Sequence, residues 1–156
     1  MIKTIKLTVN GFEREVAVDI RESLTDMLRN HINLLSVKRG CEAGECGACT
    51  VLMDGKAVNS CVMLAIWSEG RHIVTVEGLS GSNDDLHPVQ KAFIEEAAVQ
   101  CGFCTPGFIL KAVEIVGHGK RYTRDELRAL MAGNLCRCTG YHNILNALEK
   151  VMPEFS

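Results

Sequence analysis

The sequence carries no excess of positive charge. Lys and Arg number 17 against 19 Asp and Glu, a net charge of -2. The isoelectric point is about 6.2. Such a chain has no field to draw in phosphates, which argues against nucleic acid or an anionic membrane surface as partner. No apolar run escapes interruption by charge, so none is expected to span a bilayer. The opening Met1-Ile2-Lys3-Thr4-Ile5-Lys6 alternates and lacks the continuous apolar stretch of a signal peptide, so the cytoplasm is the expected location. No GxGxxG, no P-loop and no arrangement of a nucleophilic triad occurs. Disorder is also excluded, because 47% of the residues are apolar, enough for a core.

What the sequence does have is cysteine. The eight are Cys41, Cys46, Cys49, Cys61, Cys101, Cys104, Cys136 and Cys138. In a reducing compartment such residues more often hold metal than form disulfides. Disulfides are the alternative, but Cys136 and Cys138 lie too close in sequence for independent bridges.

The cysteines fall into two groups of four, and the chain divides with them. The stretch Glu77-Gly78-Leu79-Ser80-Gly81-Ser82-Asn83-Asp84-Asp85 reads as a connection, giving expected domains at residues 1–78 and 79–156. The first half reads as β-rich. Ile5, Leu7 and Val9 alternate with polar residues, Asn10-Gly11 is a hairpin turn, and Phe12, Val16 and Val18 follow on a return strand. Ser23 caps a helix carrying Leu24, Met27 and Leu28. Thr50–Met53, Ala57-Val58 and Ile73–Val76 read as further strands. The second half reads as four helices. One runs from Pro88 to about Val99, and a second opens with Thr105 as cap and Pro106 as first residue. A third follows the capping box Thr123-Arg124-Asp125-Glu126, and the last carries Ile144, Leu145, Leu148 and Val151. The expected class is α+β. Each half is small enough to need a staple, and one metal centre per half would provide it.

Cys41-x4-Cys46-x2-Cys49 followed by Cys61 is the plant-type [2Fe-2S] spacing. Gly40, Gly44 and Gly47 let this loop curl so that N–H groups can converge on anionic sulfurs. Zinc sites usually use two short pairs, which this group does not match. Cys101-x2-Cys104 with a distant Cys136-x-Cys138 is less specific by spacing, and zinc stays open there. Two helices that start close behind Cys104 and Cys138 would turn positive ends toward one site, which favours an anionic cluster. His31, His72, His87, His118 and His142 are left without a metal role, since eight thiols complete two sites. Met63, Trp67 and Phe93 read as core, and Glu42 and Glu45 as solvated loop residues.

Three stretches, Gly40–Thr50, Gln100-Cys101-Gly102-Phe103-Cys104-Thr105-Pro106-Gly107 and Gly133-Asn134-Leu135-Cys136-Arg137-Cys138-Thr139-Gly140-Tyr141, carry a resemblance that runs across nearly the whole chain. It resembles the small iron–sulfur subunit of the molybdenum hydroxylases, the xanthine dehydrogenase and aldehyde oxidoreductase family. The resemblance implies a plant-ferredoxin-like β-grasp domain followed by a four-helix [2Fe-2S] domain. It implies that Cys41, Cys46, Cys49 and Cys61 hold an outer cluster nearer a flavin. It implies that Cys101, Cys104, Cys136 and Cys138 hold an inner cluster nearer a molybdenum cofactor, whose pterin Gln100 and Cys138 approach. No catalytic residue is implied on this chain. The implied partners are a large molybdopterin-binding subunit and a medium FAD-binding subunit in a hetero-oligomer. The implied role is relay of single electrons from the molybdenum site to FAD or another acceptor. Leu34–Lys38 and Trp67–Gly70 are similar to bacterial xanthine dehydrogenase small subunits, which points to a purine or another N-heterocycle. Nicotinate, aldehyde, carbon monoxide and aromatic-CoA enzymes share the same motifs. A free-standing ferredoxin-like carrier and a zinc-stapled interaction module are the competing readings.

Overall fold

The computed structural model describes residues 1–80 and 85–153. The expected connection through Gly81, Ser82, Asn83 and Asp84 lies outside the described residues. The first half is built on β1 (Ile2–Val9) and β2 (Phe12–Asp19), joined by the Asn10-Gly11 turn and paired antiparallel from Ile2↔Asp19 to Val9↔Phe12. α1 (Leu24–Asn30) follows, with the Ser23 hydroxyl accepting the Asp26 N–H at 3.1 Å. β3 (Thr50–Met53) and β4 (Lys56–Asn59) form a second hairpin, and β5 (His72–Val74) pairs parallel with β1 and antiparallel with β3. The sheet order is β2-β1-β5-β3-β4. Alternation turns Ile5, Leu7, Val9, Val16 and Val18 to one face, and Leu24, Met27 and Leu28 of α1 close over it.

The second half contains α2 (Pro88–Glu95), α3 (Thr105–Gly117), α4 (Arg124–Leu130) and α5 (His142–Val151). Phe93, Phe108, Ile115, Leu127, Ile144 and Leu148 make a separate core between them. This is the expected α+β arrangement of a sheet domain and a four-helix domain.

Several details differ from expectation. α2 stops at Glu95 rather than near Val99, because Ala97 turns into the left-handed region at φ 49°. Thr105 is the first residue of α3, and Cys104 stands at its cap. The last strand ends at Val74, and Val76 enters a 3-10 turn. Trp67 is not core: it sits on a 3-10 turn and is 56% exposed. An indole is large enough to be half covered by neighbours without being enclosed. Phe93 is fully buried, and Met63 packs at the edge of the first core.

The halves meet along α3 and the β3–β4 hairpin. Glu114 of α3, itself held by Lys111, accepts the Ala57 N–H of β4 at 2.9 Å. This contact also covers part of an edge strand, which would otherwise be open to pairing.

Candidate metal centres

The first cysteine loop curls because Gly44 and Gly47 take φ of 77° and 68°. Gly40 has no room for a side chain, since a Cβ there would stand 2.7 Å from Cys46 Sγ. The curl aims amides at sulfur: Ala43 N–H and Glu45 N–H donate to Cys41 Sγ at 3.4 and 3.3 Å. Those amides, Ala43 first, together with that of Cys46, hold the Cys41 thiol down at about 6. Cys41 interacts with Cys46 and Cys61 with Cys49. Burial, and then Cys49, pushes Cys61 up to about 11. Glu42 and Glu45 are exposed, as expected of solvated loop residues.

The second set gathers from two places. Cys101 and Cys104 precede α3, and Cys136 and Cys138 lie between α4 and α5. Cys101 Sγ and Cys138 Sγ are 3.6 Å apart, and Cys104 interacts with Cys136. Burial, then Cys136, pushes Cys104 up to about 12. Burial also works against ionisation of Cys136, but the hydroxyl and amide of Thr139 outweigh it and hold that thiol below its ordinary value. Cys138 is raised by its hydrogen bond with Cys101.

All eight cysteines are free of disulfides. Among the described residues no group of three or more His, Cys, Asp or Glu is disposed to hold a single metal ion. The thiols come instead as two pairs at each site. Four thiols per site suit a diiron core, in which each iron takes two thiolates. Within each set one thiol is held down by its donors while a neighbour is pushed up, Cys41 against Cys61 and Cys136 against Cys104. The donor sets and the amide cradle therefore fit [2Fe-2S] clusters.

The two loops touch. Leu135 N–H donates to Cys46 C=O at 2.9 Å. The buried Asn134 amide donates to Gly47 C=O at 3.0 Å and to Thr50 Oγ1 at 3.2 Å. A Cβ on Gly107 of α3 would stand 2.3 Å from Gly47 O, so backbone packs on backbone there. Gln100 is exposed beside the exposed Cys101, and Cys138 is exposed as well.

A family described as the 2Fe-2S iron-sulfur cluster binding domain matches residues 7–73, and one described as the [2Fe-2S] binding domain matches residues 75–149. The chain is 51% identical over 144 residues to the nicotine 6-hydroxylase small subunit of Paenarthrobacter nicotinovorans, across 92% of this chain and 86% of that protein. It is 47% identical over 147 residues to the xanthine dehydrogenase iron-sulfur-binding subunit of Escherichia coli O157:H7, across 93% and 91%. The crystal structure of quinoline 2-oxidoreductase from Pseudomonas putida 86 contains a chain that matches with a TM-score of 0.91 and 44% identity, across 95% and 91%. The chain belongs to the small iron–sulfur subunits of the molybdenum hydroxylases.

Small iron–sulfur subunits of this family are parts of oxidoreductase complexes with a larger catalytic subunit. Their two [2Fe-2S] binding domains are both present in this chain. Among the described residues no helix is long and apolar enough to cross a membrane. Sequence reading found the cysteines of this small iron–sulfur subunit and missed what surrounds them. Asn134, Thr139 and Tyr141 read from the sequence as parts of one motif without individual roles. The partners of Asn134 lie more than 80 positions away, so no local pattern announces it.

Proposed function

We propose that this chain is the electron relay of a molybdenum-cofactor hydroxylase that oxidises a carbon of an N-heterocycle. In this reading Cys41, Cys46, Cys49 and Cys61 hold an outer [2Fe-2S] cluster, and Cys101, Cys104, Cys136 and Cys138 an inner one. The domains divide at residues 78 and 79. Clusters bound there supply storage of one electron at a time.

The observation that carries the reading is the direct contact of the two thiol-bearing loops through Cys46 C=O and Leu135 N–H. That bond and the Asn134 clasp hold both thiol sets at a fixed spacing, which a relay requires and a pair of independent staples does not. The amides of Ala43 and Glu45 and the hydroxyl of Thr139 hold negative charge on sulfur. Exposure of Gln100 and Cys138 supports their meeting the pterin of a large subunit. Exposure of Cys41 supports an outlet toward a medium FAD-binding subunit. Use of free thiols throughout supports assembly in the cytoplasm. The N-heterocycle assignment rests on relatives named for nicotine, xanthine and quinoline.

Iron and sulfide analysis of the anaerobically purified chain should give about four of each, with two distinct EPR signals after dithionite. Two irons, or zinc in their place, would overturn the relay. Turnover of the intact complex with aldehydes but not with N-heterocycles would overturn the substrate class alone.

A further inference from the structure

The turn from Cys136 to Tyr141 folds back on one sulfur. Thr139 donates to Cys136 Sγ twice, from its amide at 3.4 Å and from its hydroxyl at 3.1 Å. The hydroxyl is oriented for this. Tyr141 N–H donates to Thr139 Oγ1 at 3.2 Å, occupying an acceptor position and leaving the O–H proton to point at sulfur. Tyr141 then closes the turn, its own hydroxyl accepting the Cys136 N–H at 3.0 Å while its ring meets Phe108 edge-on. To do so Gly140 and Tyr141 both take positive φ, 63° and 66°. Helix α5 does not need this, since an extended residue serves as a cap. A bulky residue held in the left-handed region points to a use for the turn itself. Among the described residues no other of the eight thiols receives a hydroxyl hydrogen bond.

We infer that Thr139 is a positioning residue that sets the reduction potential of the centre holding Cys136. The inference rests on the electron-relay reading and deepens it. A [2Fe-2S] core on four thiolates is dianionic when oxidised and trianionic after gaining one electron. The added charge spreads onto the sulfurs, so a donor fixed on Cys136 Sγ stabilises the reduced state more than the oxidised one. Thr139 keeps its proton throughout, and no bond forms or breaks. Its effect is to raise the potential of the second centre relative to its bare thiol set, making that centre a better acceptor.

The test is an EPR-monitored dithionite titration of the intact complex carrying Thr139→Val or Thr139→Ser. Valine keeps the shape and the amide but removes the hydroxyl. One of the two signals should become harder to reduce by about tenfold in equilibrium, about 59 mV for one electron. The other signal should stay in place, and serine should restore the first. Equal shifts of both signals, or none, would overturn the inference. If the valine variant loses its iron, the wild type decides: electron–nuclear double resonance after transfer to deuterated water should detect a rapidly exchanging deuteron strongly coupled to one signal, and its absence overturns the inference. Failure to observe two [2Fe-2S] signals in the wild type would instead sink the relay reading beneath it.

Discussion

Glu77 stands where the first half ends. Its carboxylate accepts the Ser36 amide at 3.2 Å, the Ser36 hydroxyl and the Thr75 hydroxyl at 2.5 Å. Thr75 is in turn fixed by Asn10, which bonds both its amide and its hydroxyl. Desolvation alone would raise the Glu77 carboxyl, yet the donors from Ser36 and Thr75 hold it below its ordinary value. A depressed folded value means stability that is whole above the ordinary glutamate value of about 4.3 and lost as pH falls through the folded one. Glu77→Gln should therefore lower stability by about 0.5–1 kcal/mol at neutral pH, the exposure of the carboxylate keeping the figure small. The gap between variant and wild type should close below about pH 4, followed by thermal melts across that range. At this scale the two groups of cysteines were legible because their spacing is local. Glu77, Asn134 and Thr139 were not, because their roles depend on which distant or doubled-back groups the fold delivers to them.

Secondary-structure elements were legible where a cap or a turn spoke locally. Thr123 and Glu126 form the reciprocal box that opens α4, and Asn10-Gly11 makes the first hairpin. The end of α2 was not legible. Ala97, Ala98 and Val99 look like more helix, yet Ala98 N–H returns to Phe93 C=O at 2.9 Å and Ala97 N–H to Ile94 C=O at 3.1 Å. This is a Schellman closure with alanine where glycine is usual. Burial of Ala98 against the helical core favours the closure over continued helix. Ala97→Gly should relieve the left-handed strain and stabilise the chain by about 1 kcal/mol, seen as a higher denaturation midpoint.

For the molecule as a whole, the sequence shows two halves with four thiols each but not that the halves lock together. Gly47, Gly107 and Asn134 do this, and the side chains that would betray it are absent in two of the three. Asn134 is 4% exposed and reaches across to Gly47 and Thr50. Asn134→Ala should cost about 2 kcal/mol through lost hydrogen bonds and a vacated site. Because the two cores are separate, calorimetry should show one transition for the wild type and two for the variant. A variant that still melts in one transition would mean that the α3 contact with the β3–β4 hairpin couples the halves without the clasp.

The half-exposed indole of Trp67 has a practical consequence. It is the sole tryptophan, and it already stands 56% in water when the chain is folded. Its emission will start red-shifted and move little on denaturation, so intrinsic fluorescence is a poor gauge of folding for this protein. The same lamp, dark to unfolding, will brighten or blue-shift whenever another surface comes to cover it.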